Sequence, residues 1–394
     1  MFGVVFTSLA IATGAIGAIP AGAAVTSAIV PTSIAADCSR DVTAALNAWI
    51  ASVPDNSTLA FTANGCFRVD GTLIIHRRSG LTFQGNNATF RQVTDGTELV
   101  KPKLIRTRNV WSFEASAHLV VRNLTTFGAN PHAGMGELAY SPRFEAQHAY
   151  LIEGTNDMLM DHVAAYDTYG DFVWVGPGTS NLTVRNSTFA RNGRQGWSIN
   201  GTNITFENNS ITDTRRATID IEPSSPTWIS QNIWIRNNDV GPGRLFFFAN
   251  VGSTAPMDNI NIIGNRLHHK AFVIYASAVV SNRSNYHVIG NTSDGGVSGF
   301  GAAMVFRNIR GVEVRDNVIP LQWSHHLSGV ALFRSSRVSI THNVFHGGDS
   351  VWRDKGGNID VTQSANWIGP RPMALAAPTT TAGPTAVPTA VPTA

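Results

Sequence analysis

The 394-residue sequence has few charged residues, which make up 14% of it, and it contains no block of lysine and arginine. It also lacks the long runs of alanine, leucine, glutamate and lysine that are typical of helical proteins. The formal net charge is only +3, so nucleic-acid binding has no support. Beyond the N-terminal stretch, no segment is long and apolar enough to span a bilayer. We therefore expect neither a helical bundle nor a membrane-spanning segment. We also expect no binding to nucleic acid.

The two ends of the chain differ in composition from the middle. Residues 1–36 are apolar, rich in small residues and uncharged, which predicts a secretory signal with cleavage after Ala23 or Ala36. Residues 371–394 form a Pro/Thr/Ala tract with a recurring "AVPT" unit, which predicts an extended linker or stalk. The sequence therefore predicts a secreted or cell-surface protein, with a further module or a surface tether beyond the linker.

Cysteine is nearly absent: the chain has only Cys38 and Cys66. In an exported protein such a pair most simply forms one disulfide. We expect this bond to staple the N-terminal cap of the domain.

A short unit recurs through the middle of the chain. It begins at Asn181, Asn203, Asn232, Asn259, Asn285, Gly311 and Arg337, with spacings of 22, 29, 27, 26, 26 and 26 residues. Each copy, such as "NITFENNSI", alternates apolar residues, which is the signal of a β-strand. The seventh position holds Asn209, Asn238, Asn265, Asn291, Asn317 or Asn343.

A uniform repeat with a fixed asparagine predicts a parallel β-helix, a solenoid in which each coil adds short strands. Asparagine tolerates left-handed backbone geometry, so we expect it at the bend, and stacked copies can bond to one another in a ladder. The segment "DVTAALNAWIASVPDNSTLAF" has apolar residues at Val42, Leu46, Trp49 and Ile50, which predicts a helix capping the first coil.

The stretch "PDNSTLAFTANGCFRVDGTLIIHRRSGLTFQGNNATF" and the asparagine-turn coils resemble the pectin-lyase-like superfamily of right-handed parallel β-helices. The resemblance covers residues 37–370 and implies an all-β fold. It does not imply one activity, because that superfamily contains lyases, hydrolases, epimerases and phage depolymerases. The sequence lacks the Asn-Thr-Asp, Asp-Asp and Gly-His-Gly motifs of polygalacturonase-like hydrolases and the Arg-x-Pro-x-x-Arg motif of pectate lyases. It is most similar to secreted repeat proteins with an "RQG…IDIEP" core and no established chemistry.

Three segments align as one strand position in successive coils: "DFVWVG" from Asp171, "QGWSIN" from Gln195 and "ATIDIE" from Ala217. Strand alternation points Val173, Trp197 and Ile219 inward, with Val175, Ile199 and Ile221 beside them. The alternate positions, which include Trp174, Asp220 and Glu222, are expected to face outward. Asp220 and Glu222 would lie roughly 6.6 Å apart by strand rise.

Residues with reactive or binding side chains surround this strip. Arg194 and Arg216 are expected to form a ridge before the strand, and the long insertion between Phe127 and Leu151 should lie on the same face. The predicted catalytic residues are Asp220, Glu222, Asp171, Arg194 and His148. The predicted substrate-binding residues are Trp174, Tyr169, Gln195, Arg215, Arg216, Glu145 and Arg244, with one of Phe246–Phe248 as a further aromatic surface.

Two cleavage chemistries fit this set. In hydrolysis, Asp220 and Glu222 act as acid and base, with Asp171 as a substitute, since inverting enzymes space their carboxyl groups about 6.5–9.5 Å apart. In β-elimination, Arg194 or Arg216 neutralises a uronate and His148 or Tyr169 removes a proton, with Ca²⁺ as a helper. No other cofactor and no bound metal is expected; a metal at His268–His269 is disfavoured because adjacent strand residues face opposite sides.

The sequence therefore predicts a secreted, carbohydrate-active β-helix that cleaves an extracellular polysaccharide, of which acidic polysaccharides are one class. Two alternatives stay open: a non-catalytic glycan-binding surface protein and a polysaccharide C5-epimerase. A further alternative is that the carboxylates serve only as structural partners of Arg194 and Arg216, because stacked like charges in a solenoid need counter-ions.

Overall fold

A computed structural model of the chain describes residues 26–93, 109–249, 254–280, 282–295, 300–321 and 325–370. Within them the chain forms a parallel β-solenoid made of a 23-stranded sheet, called sheet 1, and an 11-stranded sheet, called sheet 2. Each strand pairs in parallel with the equivalent strand of the next coil. The predicted all-β solenoid is confirmed.

Sheet 2 contains, within the described residues, Leu73–His76, Trp111–Glu114, Tyr150–Glu153, Val173–Val175, Trp197–Ile199, Thr214–Ile221, Gly243–Ala249, Ile274–Ser277, Ala302–Arg307, Ser328–Phe333 and Ser350–Asp354. One set of strands of sheet 1 is Thr26–Ile29, Ser57–Ala60, Thr82–Arg91, Ala117–Phe127, Asn156–Thr168, Ser180–Arg185, Gly201–Glu207, Ser230–Arg236, Met257–Ile263, Arg283–Ile289, Ile309–Arg315, Ser336–Thr341 and Ile359–Ser364. The other strands of this sheet are Asp37–Asp41, Cys66–Arg68, Thr188–Asn192, Ser210–Thr212, Asp239–Val240, Arg266–Leu267, Thr292–Ser293, Val318–Pro320, Val344–His346 and Trp367–Gly369.

One α-helix, Thr43–Ser52, and one 3₁₀ turn, Glu137–Ala139, complete the secondary structure of the described residues. The helix buries Leu46, Trp49 and Ile50 in the core of the first coils, which confirms the predicted cap. Cys38 and Cys66 form the predicted disulfide, with their Cα atoms 5.0 Å apart. No helix within the described ranges is both long and apolar enough to cross a membrane.

The repeated asparagines form a continuous buried ladder. The side-chain oxygen of Asn265 accepts the backbone N–H of Asn238 at 3.1 Å and its side-chain amide at 3.0 Å. The same two bonds join Asn265 to Asn291 and Asn291 to Asn317. The ladder satisfies polar groups that would otherwise be buried without partners at every turn.

The position of the left-handed residue was predicted wrongly. The positive φ falls on the residue before each ladder asparagine, as at Asn208, Asn237 and Gly264, whose φ values are 55°, 54° and 63°. That residue turns the chain, whereas the ladder asparagine keeps its side chain inside the solenoid, where it contacts the next coil.

The inward columns of sheet 2 are as predicted. Trp197 pairs in register with Val173 on one side and Ile219 on the other, and all three are fully buried. Ile199 and Ile221, two residues further on, are also fully buried. This register fixes the alternate residues Trp174, Ser198 and Asp220 on the opposite face of the sheet.

The N-terminal and C-terminal segments were assigned by composition. Residues 1–25 and 371–394 lie outside the described residues, so most of the predicted signal and all of the predicted linker fall there. The end of the predicted signal is described: strand Thr26–Ile29 pairs with Ser57–Ala60, and Val30 and Ile34 are buried in the core.

Candidate functional site

The candidate site begins with Arg194, which lies just before strand Trp197–Ile199. Its Nη1 donates a hydrogen bond to Asp171 Oδ2 at 2.8 Å, and its Nη2 donates one to Glu222 Oε2 at 2.8 Å. Nη1 also lies 3.4 Å from the Ser198 hydroxyl, and Nε lies 3.7 Å from Glu145 Oε2. One guanidinium thus joins three successive coils of the solenoid to the insertion, and the surrounding carboxylates raise its pKa.

Asp171 is fully buried beneath Arg194. Its Oδ1 accepts the backbone N–H of Gln195 at 2.9 Å, so both of its oxygens have partners. Burial raises the pKa of Asp171 to about 6, against the lowering effect of Arg194. This carboxyl group therefore changes its charge close to neutral pH.

Asp220 follows one coil later and is only 1% exposed. Its Oδ2 accepts a hydrogen bond from the Gln195 side-chain amide at 2.5 Å, whereas Oδ1 has no hydrogen-bond partner among the described residues. Burial, followed by the charge of Glu222, raises the pKa of Asp220 well above its ordinary value. The raised pKa favours the protonated form of Asp220, and Oδ1 is the oxygen left without a hydrogen-bond partner among the described residues.

Glu222, at the end of the same strand position, differs from Asp220 in two respects. Its side chain is 35% exposed, and its carboxylate is paired with Arg194. The expectation that both acids lie open on the outer wall is thus met by Glu222 and not by Asp220. The burial of Asp220 arises because Gln195 and Arg194 from the preceding coil extend over it.

His148 comes from the end of the insertion and contacts Asp171. The backbone N–H of Asp171 donates to His148 Nδ1 at 3.0 Å, which requires the proton of a neutral ring to reside on Nε2. The 3.6 Å separation between Nδ1 and Asp171 Oδ2 is therefore proximity and not an ion pair. The ring lies nearly parallel to Trp174, with centroids 6.0 Å apart.

An open cleft of about 160 Å³ lies beside these residues, and Asp171, Asp220 and Glu222 are not part of its lining. It is lined by Glu145, Ala146, His148, Leu151, Glu153, Trp174 and Arg194. Arg194 and His148 link this cleft to the buried carboxyl groups. Leu151 and Glu153 were missed from the sequence, although Leu151 is in register with Trp174 and Glu153 lies two residues further along the same strand face.

The insertion lies against this strip, as its length had suggested. Glu145 accepts a hydrogen bond from the Tyr140 hydroxyl at 2.6 Å, and the guanidinium of Arg216 lies 5.1 Å from the Tyr140 ring centroid. Burial, followed by this bond to Glu145, raises the pKa of Tyr140. Arg215 pairs with Glu137 at 2.7 Å. A register shift between Thr214 and Ala217 forms a bulge that redirects the two arginines.

The other predicted binding residues are not all at the cleft. The Tyr169 ring packs against Phe144 of the insertion, with centroids 4.7 Å apart and planes tilted by 42°. Gln195 is buried and donates hydrogen bonds to Asp171 and Asp220. Phe248 is in register with Asp220 and half-buried, whereas Phe246 and Phe247 are fully buried. Arg244 is exposed and makes no ion pair within the described residues.

No cluster of three or more metal-binding side chains occurs in the described part of the chain. His268 instead pairs with Asp239 at 2.9 Å and lies 3.4 Å from Asp294.

Comparison with known proteins agrees with this architecture. Residues 144–293 match a family described as "Right handed beta helix region". This description agrees with the parallel β-solenoid of the structure. No curated protein sequence matches the chain.

Several solved structures share this fold at low identity. An exopolygalacturonase from Thermotoga maritima is 11% identical with a TM-score of 0.58, and the match covers 87% of this chain and 92% of that one. The surface protein and adhesin PfbA of Streptococcus pneumoniae is 13% identical with a TM-score of 0.54, covering 87% and 99%. A mannuronan C-5 epimerase A-module from Azotobacter vinelandii is 15% identical with a TM-score of 0.52, covering 86% and 97%. At these identities the likeness establishes the fold alone.

Proposed function

We propose that this chain is an extracellular polysaccharide hydrolase whose reaction centre is the strip around Asp220 and Glu222. One observation carries the proposal: Asp220 is buried beside Glu222 with its pKa raised well above the ordinary value, and Glu222 is paired with Arg194 at 2.8 Å. Neighbouring carboxyl groups with opposite protonation states are the acid and base pair that glycoside hydrolysis requires. The solved structures of similar fold include polysaccharide-acting enzymes, which is consistent with this class.

In this mechanism each residue has a separate role. Asp220 donates its proton to the leaving sugar oxygen, and Glu222 acts as the base or nucleophile. Arg194 and Asp171 are positioning residues, because they hold Glu222 through the bonds at 2.8 Å. Asp220 is covered in this structure, so substrate reaches Oδ1 only after Gln195 or Arg194 moves aside.

Hydrolysis is favoured over elimination by the state of His148 and Arg194. With Nδ1 occupied by the Asp171 N–H, neutral His148 presents a protonated Nε2 and has no free lone pair for proton abstraction. Arg194 already binds two carboxylates, so it is not free to neutralise a uronate. The predicted role of Ca²⁺ belonged to elimination, and hydrolysis by this pair does not call for it.

The test is digestion of a panel of acidic and neutral extracellular polysaccharides by the wild type, Asp220→Asn and Glu222→Gln. We expect new reducing ends without the absorbance of unsaturated uronates, and a loss of roughly 10²–10⁴ in rate for each variant. Glu207→Gln is the matched control, since Glu207 pairs with Arg236 on sheet 1 at 2.8 Å. The appearance of the unsaturated-uronate band would establish elimination instead.

A second candidate, a glycan-binding surface protein without catalysis, is favoured by the burial of Asp171 and Asp220 at 0% and 1% exposure. It predicts that the wild type retains glycan in a binding assay, yields no product, and binds equally well after Asp220→Asn. NMR of the recovered polymer would separately reveal C5-epimerisation, which changes configuration without cutting the chain.

A further inference from the structure

A second groove lies on the outer face of sheet 2, toward the C-terminal coils. One column of outward residues runs in register from Asp220 through Phe248, Tyr275, Val305 and Ala331. It ends at Arg353 in the last strand of the sheet. The groove therefore begins two coils, roughly 10 Å, from Asp220 at a coil spacing of about 4.8 Å.

The groove arises from a drop in side-chain size along this column. Tyr275 stacks on Phe248 with ring centroids 5.5 Å apart and an angle of 13° between planes. The next two positions are the smaller Val305 and Ala331, so the stack ends at Tyr275 and leaves a pocket of about 340 Å³ beside it. Tyr275 forms one wall of this pocket, and Val305 and Ala331 form its floor.

The side of the groove is cationic. Arg307 is in register with Phe333, and Lys355 follows one coil later, because the preceding Asp354 pairs with Leu332. Arg307 and Lys355 are exposed and form no ion pair within the described residues. Arg353 makes one surface pair, with Asp349 at 2.7 Å. The groove lining contains these three cations and no carboxylate.

We propose that this groove is a second carbohydrate subsite, which binds an anionic sugar unit of the same polymer that reaches Asp220. Tyr275 and Phe333 supply apolar contact for a sugar ring, and Arg307 and Lys355 bind its carboxylate or sulfate group. The continuous column orients the polymer along the solenoid axis. The proposal rests on the proposed function only for the cleavage step, because binding in the groove requires none of the acids.

The experiment is calorimetric titration of the full chain, carrying Asp220→Asn to prevent cleavage, with four short oligosaccharides. Two are anionic, a uronate oligomer and a sulfated oligomer, and two are their carboxyl-reduced and desulfated counterparts. We expect at least one anionic oligomer to bind more tightly than its neutral counterpart, with an affinity that falls as salt rises. Comparison of the affinities for the uronate oligomer and the sulfated oligomer identifies which acidic group the groove binds.

Replacing both free cations, in Arg307→Gln/Lys355→Gln, should weaken binding of that anionic oligomer roughly tenfold and leave its neutral counterpart unchanged. The matched control is Arg266→Gln/Arg310→Gln, which removes the same charge from exposed, unpaired positions on sheet 1 and should change affinity less than about twofold.

Equal binding of anionic and neutral oligomers would overturn the proposal, as would an equal loss in the control. Loss of both the anionic and neutral ligands in the groove variant would also overturn it, since charge would not then be what the groove selects. If anionic oligomers bind as expected but the wild type cleaves nothing, the proposed hydrolysis fails and this inference stands.

Discussion

The Gln195 side-chain amide donates a 2.5 Å hydrogen bond to Oδ2 of Asp220. Because an amide N–H can only donate, Oδ2 acts as an acceptor in this bond, and Oδ1 has no hydrogen-bond partner among the described residues. The backbone N–H of the same Gln195 bonds to Asp171. One glutamine thus orients two carboxyl groups with raised pKa values, and the pH dependence of the site should report both.

The rate of polysaccharide cleavage should be bell-shaped in pH. The pKa of Asp171 is about 6, so below this pH Asp171 becomes neutral and no longer holds Arg194 beside Glu222. The rate should therefore fall as the pH drops through about 6. At the other limb, the rate should fall as the pH rises through the raised pKa of Asp220, because the donor loses its proton.

Initial rates measured from about pH 4 to pH 9 test both limbs. In Asp171→Asn the acid limb near pH 6 should disappear, since the side chain no longer titrates. An unchanged acid limb in that variant would assign the limb to another group.

Lys270 should make stability depend on pH in a way that its replacement removes. Its side chain is 1% exposed, its Nζ lies 2.5 Å from the Thr218 hydroxyl, and burial lowers its pKa to about 7. The unfolded chain takes up this proton below its ordinary pKa of 10.5, whereas the folded chain does so only below about 7. Stability is therefore lost as the pH falls from 10.5 to 7.

Lys270→Met should then raise the free energy of unfolding by a few kcal/mol at pH 7, with a gain that shrinks toward pH 10. Denaturant unfolding of both proteins across this range gives the difference. A gain independent of pH would show that packing, and not the charge, is responsible.

The asparagine ladder should be costly to interrupt. Asn265→Ala removes the acceptor of the backbone N–H of Asn238, which is buried, and should reduce the free energy of unfolding by about 1–3 kcal/mol. Thr205→Ala, on the outer face of sheet 1, should change it by less than about 0.5 kcal/mol. Denaturant midpoints compare the two, and equal losses would mean that the ladder adds nothing beyond strand packing.

If the chain is exported and processed as its N-terminal sequence predicts, the mature protein should begin at Ala24 and not at Asp37. A cut after Ala36 would remove strand Thr26–Ile29 together with the buried Val30 and Ile34, whereas a cut after Ala23 preserves them. Intact mass or N-terminal sequencing of the exported protein decides between the two sites. A chain starting at Asp37 would require the first coil to fold without its edge strand.

Most of the fold could be predicted from the sequence repeat. Period-two alternation with a fixed asparagine gave the register of Val173, Trp197 and Ile219, because each coil uses the same strand position. The repeat did not show which residue has the left-handed backbone conformation. Both residues of a pair such as Asn208–Asn209 are common at bends, and only the contact with the next coil distinguishes them.

The site was harder to predict than the fold. Alternation correctly put Asp220 on the outer face, yet it says nothing of the neighbours that cover that face. Gln195 was expected to contact substrate, but its long side chain extends along the axis to the next coil. The second groove was not predicted from the sequence. It depends on Val305 and Ala331 following Tyr275 in register, and this register is known only from the strand pairing of the folded chain.

Each ladder asparagine serves the coil before it and depends on the coil after it, through bonds such as those from Asn238 to Asn265 and from Asn265 to Asn291. Excision of one complete repeat would let the two flanking asparagine side chains form the same hydrogen bond with each other. Excision of part of a repeat would leave one of these side chains buried without a partner. The solenoid can therefore be lengthened or shortened by whole coils without interrupting the ladder, and each such change alters the outer surface by one coil spacing.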